Sequence, residues 1–273
     1  MDIENTKLAT PGIDSFALTN DGKYVVKLDT LVDHYSEYRL SLYKDSEANP
    51  VEEAVWKYAD GRSTEWDVTD VITKNGAGTY TVKVQAAGNS ATTSPSEISE
   101  AELTLYSAEI SIVPEAIETV LTIQNDAGLK IVKEALGTGK FLLPAGSYSV
   151  NSKLQNTNVA YEIDVTRNFE VTDSGDNELT IAHTALHGVT FRVTPDGAEV
   201  KVYFDADKSS LVTDWDHLAP GTYYYTVSMA GYVTEESSFE ITDSDVDVTV
   251  TVDLTAAQTT FEKLTDALDN AQD

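Results

Sequence analysis

The chain of 273 residues carries 46 acidic and 18 basic side chains, a net charge of −28, no cysteine and 41% hydrophobic residues. Such an excess of negative charge repels phosphate backbones and anionic lipid, which excludes nucleic acid and membrane surfaces as expected partners. The absence of cysteine removes disulfide scaffolds, thiolate-bound zinc and thiol nucleophiles together.

Period-two alternation, the pattern of half-buried strands, dominates the chain. Tyr24-Val25-Val26-Lys27-Leu28 and Tyr38-Arg39-Leu40-Ser41-Leu42 are the first clear cases. From Thr79 to Ala86, Tyr80, Val82, Val84 and Ala86 fall on one face and polar groups on the other. Phe191-Arg192-Val193 and the run from Val246 to Leu254 alternate in the same way. Between strands lie Asp21-Gly22, Asp60-Gly61, Asn75-Gly76 and Asp196-Gly197, dipeptides that supply the positive φ of tight hairpin turns. Short strands so punctuated predict antiparallel β-sandwiches. Residues 255–273 change period: Phe261, Leu264, Ala267, Leu268 and Ala271 stand at helical spacing, which predicts a short amphipathic helix or a frayed tail.

Self-comparison yields three ordered matches. Asn168-Phe169-Glu170-Val171-Thr172-Asp173-Ser174 returns as Ser238-Phe239-Glu240-Ile241-Thr242-Asp243-Ser244. Leu143-Pro144-Ala145-Gly146-Ser147-Tyr148 returns as Leu218-Ala219-Pro220-Gly221-Thr222-Tyr223. Leu121 to Gly128 is matched with Phe191 to Ala198. Two copies of one small β-module are therefore expected, at 107–186 and 187–254, behind a first domain at 1–106 and ahead of a helix or linker at 255–273.

The second copy resembles the PEGA family of small surface modules. Val193-Thr194-Pro195-Asp196-Gly197-Ala198, Leu218-Ala219-Pro220-Gly221-Thr222-Tyr223 and Ala230-Gly231-Tyr232 carry the likeness. The first copy departs from it, with Gln124-Asn125-Asp126-Ala127-Gly128 in place of the Pro-Asp-Gly turn. Residues 7–106 resemble a bacterial fibronectin type III domain through Lys7-Leu8-Ala9-Thr10-Pro11, Gly78-Thr79-Tyr80 and its following strand, and Ser94-Pro95-Ser96-Glu97. That resemblance implies that Tyr80 is a corner tyrosine, bonding back to the chain through its hydroxyl. It lacks the usual strand-B tryptophan, so Trp56 or Trp66 is expected to fill the core. Together the resemblances imply an all-β fold of tandem Ig-like or fibronectin III-like and PEGA-like antiparallel β-sandwiches with a short C-terminal helix.

Catalytic patterns are missing from the sequence: it has no Gly-x-Ser-x-Gly and no His-Glu-x-x-His, and Gly137-Thr138-Gly139-Lys140 is only a fragment of a phosphate loop. His183 and His187 lie where two strand patterns meet and read as a solvated linker pair, and His217 beside Trp215 and Asp216 reads as a loop residue. Asp243, Asp245 and Asp247 stand two apart, so an extended strand turns all three to one side, a candidate structural calcium site. No other cofactor is expected. Trp56, Tyr58 and Tyr224 are candidate platforms for a ligand such as a sugar ring, weighed against ordinary half-buried strand positions.

The opening residues Met1 to Lys7 have neither the basic flank nor the apolar stretch of a signal peptide. Two readings follow: an intracellular or virion protein with a native Met1, or a segment of a larger exported chain, which the module types favour. The expected role is that of a non-catalytic, monomeric spacer or adhesion segment of a bacterial cell-surface or secreted protein, outside the cell, with polysaccharide or other surface proteins as partners. The rivals are a carbohydrate- or protein-binding module, a hydrolase, and a phage or virion surface protein.

Overall fold

A strand buried on one face needs an apolar side chain at every second position, and that requirement organises most of this chain. The computed structural model describes residues 6–30, 32, 35–57, 64–88, 92–156, 160–243 and 247–269. They group into two compact units, one drawn from 1–157 and 163–182, the other from 158–162 and 183–273.

The first unit opens with β1 (Thr6–Lys7), β2 (Gly12–Leu18), β3 (Tyr24–Thr30), β4 (Glu37–Lys44), β5 (Glu52–Lys57) and β6 (Glu65–Asp67). Helix α1 (Thr69–Asn75), β7 (Gly78–Ala87), β8 (Thr93–Ser94) and β9 (Ile98–Val113) follow. Strands β2, β3 and β6 make one sheet, while β9, β7, β4 and β5 are neighbours in that order in another. Inward residues of both sheets, among them Phe16, Val26, Tyr38, Leu40, Tyr80 and Val82, form one core, and Trp56 and Trp66 pack against it. Asn75-Gly76 is not a hairpin turn. It ends α1, with Gly76 at φ 78° and its N–H donating to the Ile72 carbonyl at 2.8 Å. The helix forms because Ile72 is fully buried and the Asp67 carboxylate accepts the Thr69 N–H at 3.0 Å. Seven residues are too few to announce a helical period.

Strand β9 does not stop where the first module ends. Residues 98–105 pair with β7, and the same strand runs on into the next sandwich. That module adds β10 (Glu118–Gln124), β11 (Lys130–Leu136), β12 (Thr138–Leu143), β13 (Gly146–Leu154), β14 (Asp164–Val171) and β15 (Asn177–Ala182). Strands β11, β10, β13 and β14 form its four-stranded sheet, while β12 and β15 flank the second half of β9. The expected boundary at 106/107 thus falls inside a 16-residue strand. Two hydrogen bonds reinforce the joint: Tyr24 Oη donates to the Leu142 carbonyl at 2.9 Å, and the Lys130 N–H to Asn20 Oδ1 at 3.1 Å.

The second unit holds β16 (Gly188–Thr194), β17 (Glu199–Tyr203), β18 (Gly221–Ser228), β19 (Glu235–Ile241), β20 (Asp247–Asp253) and helix α2 (Thr260–Asp269). Strand β16 pairs with β20, and β17, β18 and β19 form the opposite sheet. Val189, Val202, Tyr223, Tyr225, Val227, Ile241 and Val252 build the core between them. The start of α2 is fixed by a reciprocal pair: the Glu262 N–H donates to Thr259 Oγ1 at 3.2 Å, and the Thr259 N–H to Glu262 Oε2 at 2.6 Å.

All three sandwiches carry the same corner. Tyr80, Tyr148 and Tyr223 each follow a Gly-Thr or Gly-Ser step, and each donates its hydroxyl to the carbonyl four residues back. The acceptors are Gly76 at 2.6 Å, Pro144 at 2.8 Å and Ala219 at 2.8 Å. The first two sequence matches between the later modules are structural equivalences, because Tyr148 stands opposite Phe169 as Tyr223 stands opposite Phe239. The third match is displaced by one strand. Phe191 lies on β16, whose counterpart is the second half of β9 rather than β10, and β10 corresponds to β17, each pairing antiparallel with the corner strand. Alternating strands that lead into glycine turns look alike, so a slip of one strand leaves the match nearly intact.

Replacing any of the three corner tyrosines by Phe is expected to lower stability by about 1–2 kcal/mol, read by denaturant unfolding, since it removes one hydrogen bond and strands a carbonyl. Burial pushes the Tyr24, Tyr80 and Tyr148 phenols up to about 12, and raises Tyr223 as well. The unfolded chain ionises at the ordinary phenol value near 10. Stability from these groups is therefore complete below about pH 10 and falls as pH rises toward about 12. Tyrosinate absorbance that rises together with loss of β circular dichroism, rather than ahead of it, is the expected observation.

Candidate functional site

Each of the two later modules closes by laying its first strand beside its last, running the same way. In the second module β9 and β15 pair in parallel from Ala108↔Asn177 to Val113↔Ala182. In the third, β16 and β20 pair in parallel from Gly188↔Asp247 to Thr194↔Asp253. Parallel terminal strands put the incoming and outgoing ends of the chain at opposite ends of the pair. Tension between those ends therefore runs along the strands and loads every ladder bond in shear.

A side chain at the start of the last strand pins each pair. Asn177, only 7% exposed, donates through Nδ2 to the Ser107 carbonyl at 3.2 Å while its Oδ1 accepts the Thr172 N–H at 2.8 Å. Asp247 Oδ1 accepts the Gly188 N–H at 2.8 Å, and a Cβ on residue 188 would lie 2.9 Å from that oxygen. Glycine lets the carboxylate in. Neither pin is legible in the sequence, because parallel pairing of distant strands leaves no local signal.

The acidic run expected to face one way is divided. Strand β20 begins at Asp247, Asp243 sits exposed in the turn after β19, and Asp245 lies outside the described residues. Among the described residues no group of three or more metal-ligating side chains gathers. The other acid clusters cap loops. Asp205 accepts the N–H groups of Ser209 and Ser210 at 2.9 Å, and the Ser209 amide above all holds its carboxyl below the usual range. Asp214 accepts the Asp216 N–H and pairs with His217 Nδ1, both at 3.0 Å, and its carboxyl is lowered chiefly by the Asp216 amide.

Trp56, in the first unit, is half-buried on β5 opposite Tyr38 and leans on the core. Tyr58 lies outside the described residues. In the second unit Tyr224 occupies the outer face of β18, between the buried Tyr223 and Tyr225. His183 and His187 are not solvated linker residues, being 3% and 7% exposed. The segment folds against its neighbours: the Glu162 N–H donates to the Thr184 carbonyl at 2.8 Å, the Leu186 N–H to Ala160 at 2.8 Å, and His183 Nδ1 to the Glu162 carbonyl at 2.6 Å. Strand-like pairing of a junction has no compositional mark, so spacing alone misread it.

No protein-family model matches the sequence, and no curated protein matches it. Among solved structures, the chain is similar over 94% of its length to 58% of the Bacillus anthracis TIE protein, at 16% identity and a TM-score of 0.25. It is similar over 84% of its length to 95% of a streptococcal ancillary pilin, at 14% identity and a TM-score of 0.27. Over 92% of its length it is similar to the whole of the FN1–FN3 segment of chicken CNTN1, at 11% identity and a TM-score of 0.23. The chain spans little more than half of the Bacillus anthracis protein. At these scores none of the neighbours bears on what the chain does, and the all-β assignment rests on its own sheets and cores.

The pins differ in burial, and their removal separates accordingly. Asn177→Ala is expected to lower stability by about 2 kcal/mol, because a buried amide that bonds backbone groups of both Ser107 and Thr172 is removed, and Asp247→Ala by about 1 kcal/mol. Chemical denaturation of the full chain reads both. Equal losses would mean that the amide is not the tighter pin.

Proposed function

We propose that this chain is a non-catalytic, load-bearing spacer segment of a bacterial cell-surface or secreted protein. The observation that carries the reading is the parallel pairing of first and last strands in both later modules, each with its pin. A sandwich whose terminal strands are sheared resists extension through many bonds at once, whereas one that unzips yields one bond at a time. Continuity of β9 through two sandwiches supports the same reading, since force passes from one core to the next without a flexible linker. The three-against-four strand layout of the first module supports its likeness to a fibronectin type III domain. A charge of −28 keeps neighbouring copies apart in a crowded surface layer. No helix among the described residues is long and apolar enough to cross a membrane.

Single-molecule pulling tests the mechanism directly. The chain has no cysteine, so introduced cysteines are its only thiols for attaching handles. Handles at the two chain ends load β16 and β20 along their length. Handles at Thr190→Cys and Thr249→Cys, exposed cross-strand partners, pull the same pair apart sideways. Rupture forces several times higher in the first geometry are expected. Comparable forces in the two geometries would remove the load-bearing reading.

A further inference from the structure

The two later modules share the terminal pair but differ beside it. In the second, β12 covers the other edge of β9, antiparallel from Tyr106↔Leu143 to Ser111↔Thr138. In the third, residues 204–220 contain no strand, only isolated bridges. Leu218 takes the place of Leu143, exchanging hydrogen bonds with His187 at 2.8 and 3.0 Å, and the Val189 N–H reaches the Trp215 carbonyl at 2.8 Å. Past that point no described residue runs beside β16 on this side.

Strand geometry says which groups are left over. The N–H and C=O of one residue leave the same edge, and successive residues alternate. The Thr194 carbonyl accepts from the Leu254 N–H at 2.8 Å, so Thr194 faces β20, and with it Arg192 and Thr190. His187 and Val189 face the opposite way, and therefore so do Phe191 and Val193. Among the described residues no backbone group meets Phe191 or Val193 on that side. They open onto a groove of about 550 Å³ walled by Val193, Ala198, Val200 and Trp215, with Asp196 at its rim. The floor is firm, because the Phe191 ring is held 5.5 Å from Trp215, 5.2 Å from Tyr225 and 5.9 Å from Phe239.

We propose that the free edge of β16 is a strand-addition site for an extended, basic peptide segment of a partner protein. The sister module supplies the pattern of what fits there. Strand β12 lies antiparallel, presents Gly139 opposite Ile110, the counterpart of Phe191, and turns Lys140 outward to Glu109 at 3.4 Å. An incoming strand accordingly needs small residues over Phe191 and Val193, as Gly139 and Gly137 lie over Ile110 and Ile112, alternating with lysine over Thr190 and a polar residue over Arg192. Unpaired amides and carbonyls along an apolar groove give such a strand both its bonds and its buried surface. Asp196 and the net charge of −28 favour a cationic segment and oppose a second copy of this chain. The site goes beyond the load-bearing reading and does not depend on it, since β20 holds the other edge.

Amide hydrogen exchange on the full chain, with a synthetic peptide of alternating lysine and small apolar residues, tests the site. At nine-tenths occupancy the Phe191 and Val193 amides should exchange about tenfold more slowly, with Thr190 and Arg192 unchanged. A peptide of identical sequence and charge, N-methylated at the amides that would face β16, should give no protection. Equal protection by both peptides would reduce the effect to charge attraction and overturn the proposal, as would protection by neither at millimolar peptide. Protection that grows with protein concentration and needs no peptide would make a second copy the occupant, which also overturns it.

Discussion

The constraint on which the later modules depend is that the chain enters and leaves each sandwich along adjacent parallel strands. Antiparallel neighbours can be joined by a two-residue turn, but parallel ones require the intervening chain to cross the whole module and return. In the third module that crossing is the three-stranded sheet of β17, β18 and β19, which packs its inner face on β16 and β20. Closure of the terminal pair and completion of the core are therefore one event. Neither strand of a two-stranded parallel sheet is stable alone, and Val189, Phe191, Val248, Val250 and Val252 hold theirs by burying against the opposite sheet.

The corner tyrosines serve this arrangement from the middle. Each sits near the start of a central strand, β7, β13 or β18, where the chain arrives from a loop and must turn sharply. Glycine two residues earlier, at φ 149° in β7 and φ 152° in β13, takes a backbone conformation that side chains disfavour. The ring then fills the core, and the hydroxyl satisfies a carbonyl that the turn would otherwise leave open. In the third module the Tyr223 ring stacks on Phe239 at 5.6 Å, tying the corner to β19. One residue thus fixes loop, strand register and sheet packing, which explains why the same short motif survives in three sandwiches of otherwise different layout.

Much of this was legible in the sequence, for local reasons. Alternation located the strands around Tyr24, Tyr38, Tyr80, Phe191 and Val248, and the corner role of Tyr80 was implied by the likeness to a fibronectin type III domain. What stayed hidden is non-local. Alternation states that a residue faces a core and is silent on which strand lies beside it, so the parallel pairs, the Asn177 and Asp247 pins and the run of β9 through two sandwiches left no trace. The same silence allowed the slip of one strand in the third repeat match. Helix α1 was hidden for the opposite reason: its seven residues obey local rules, but Val71, Ile72 and Thr73 are β-branched, and it is the burial of Ile72 that settles their conformation.

Loss of strands β11 and β12 between the second module and the third changes the edge without changing the closure. In the second module β12 shields β9 and is itself the edge of that sheet, while β11 is the edge of the opposite sheet, with Val132 and Leu136 exposed beside Lys133 and Glu134. In the third module the edge is β16 itself, and shielding falls to Trp215, Leu218 and the charge of the rim. Open edges are a hazard because any extended chain can pair with them. A strongly acidic surface meets that hazard selectively: it repels copies of the same chain at every edge and leaves a basic strand free to approach. On the strand-addition proposal, acidity would help keep an unfinished sheet single among its own kind and would set the sign of charge its partner carries.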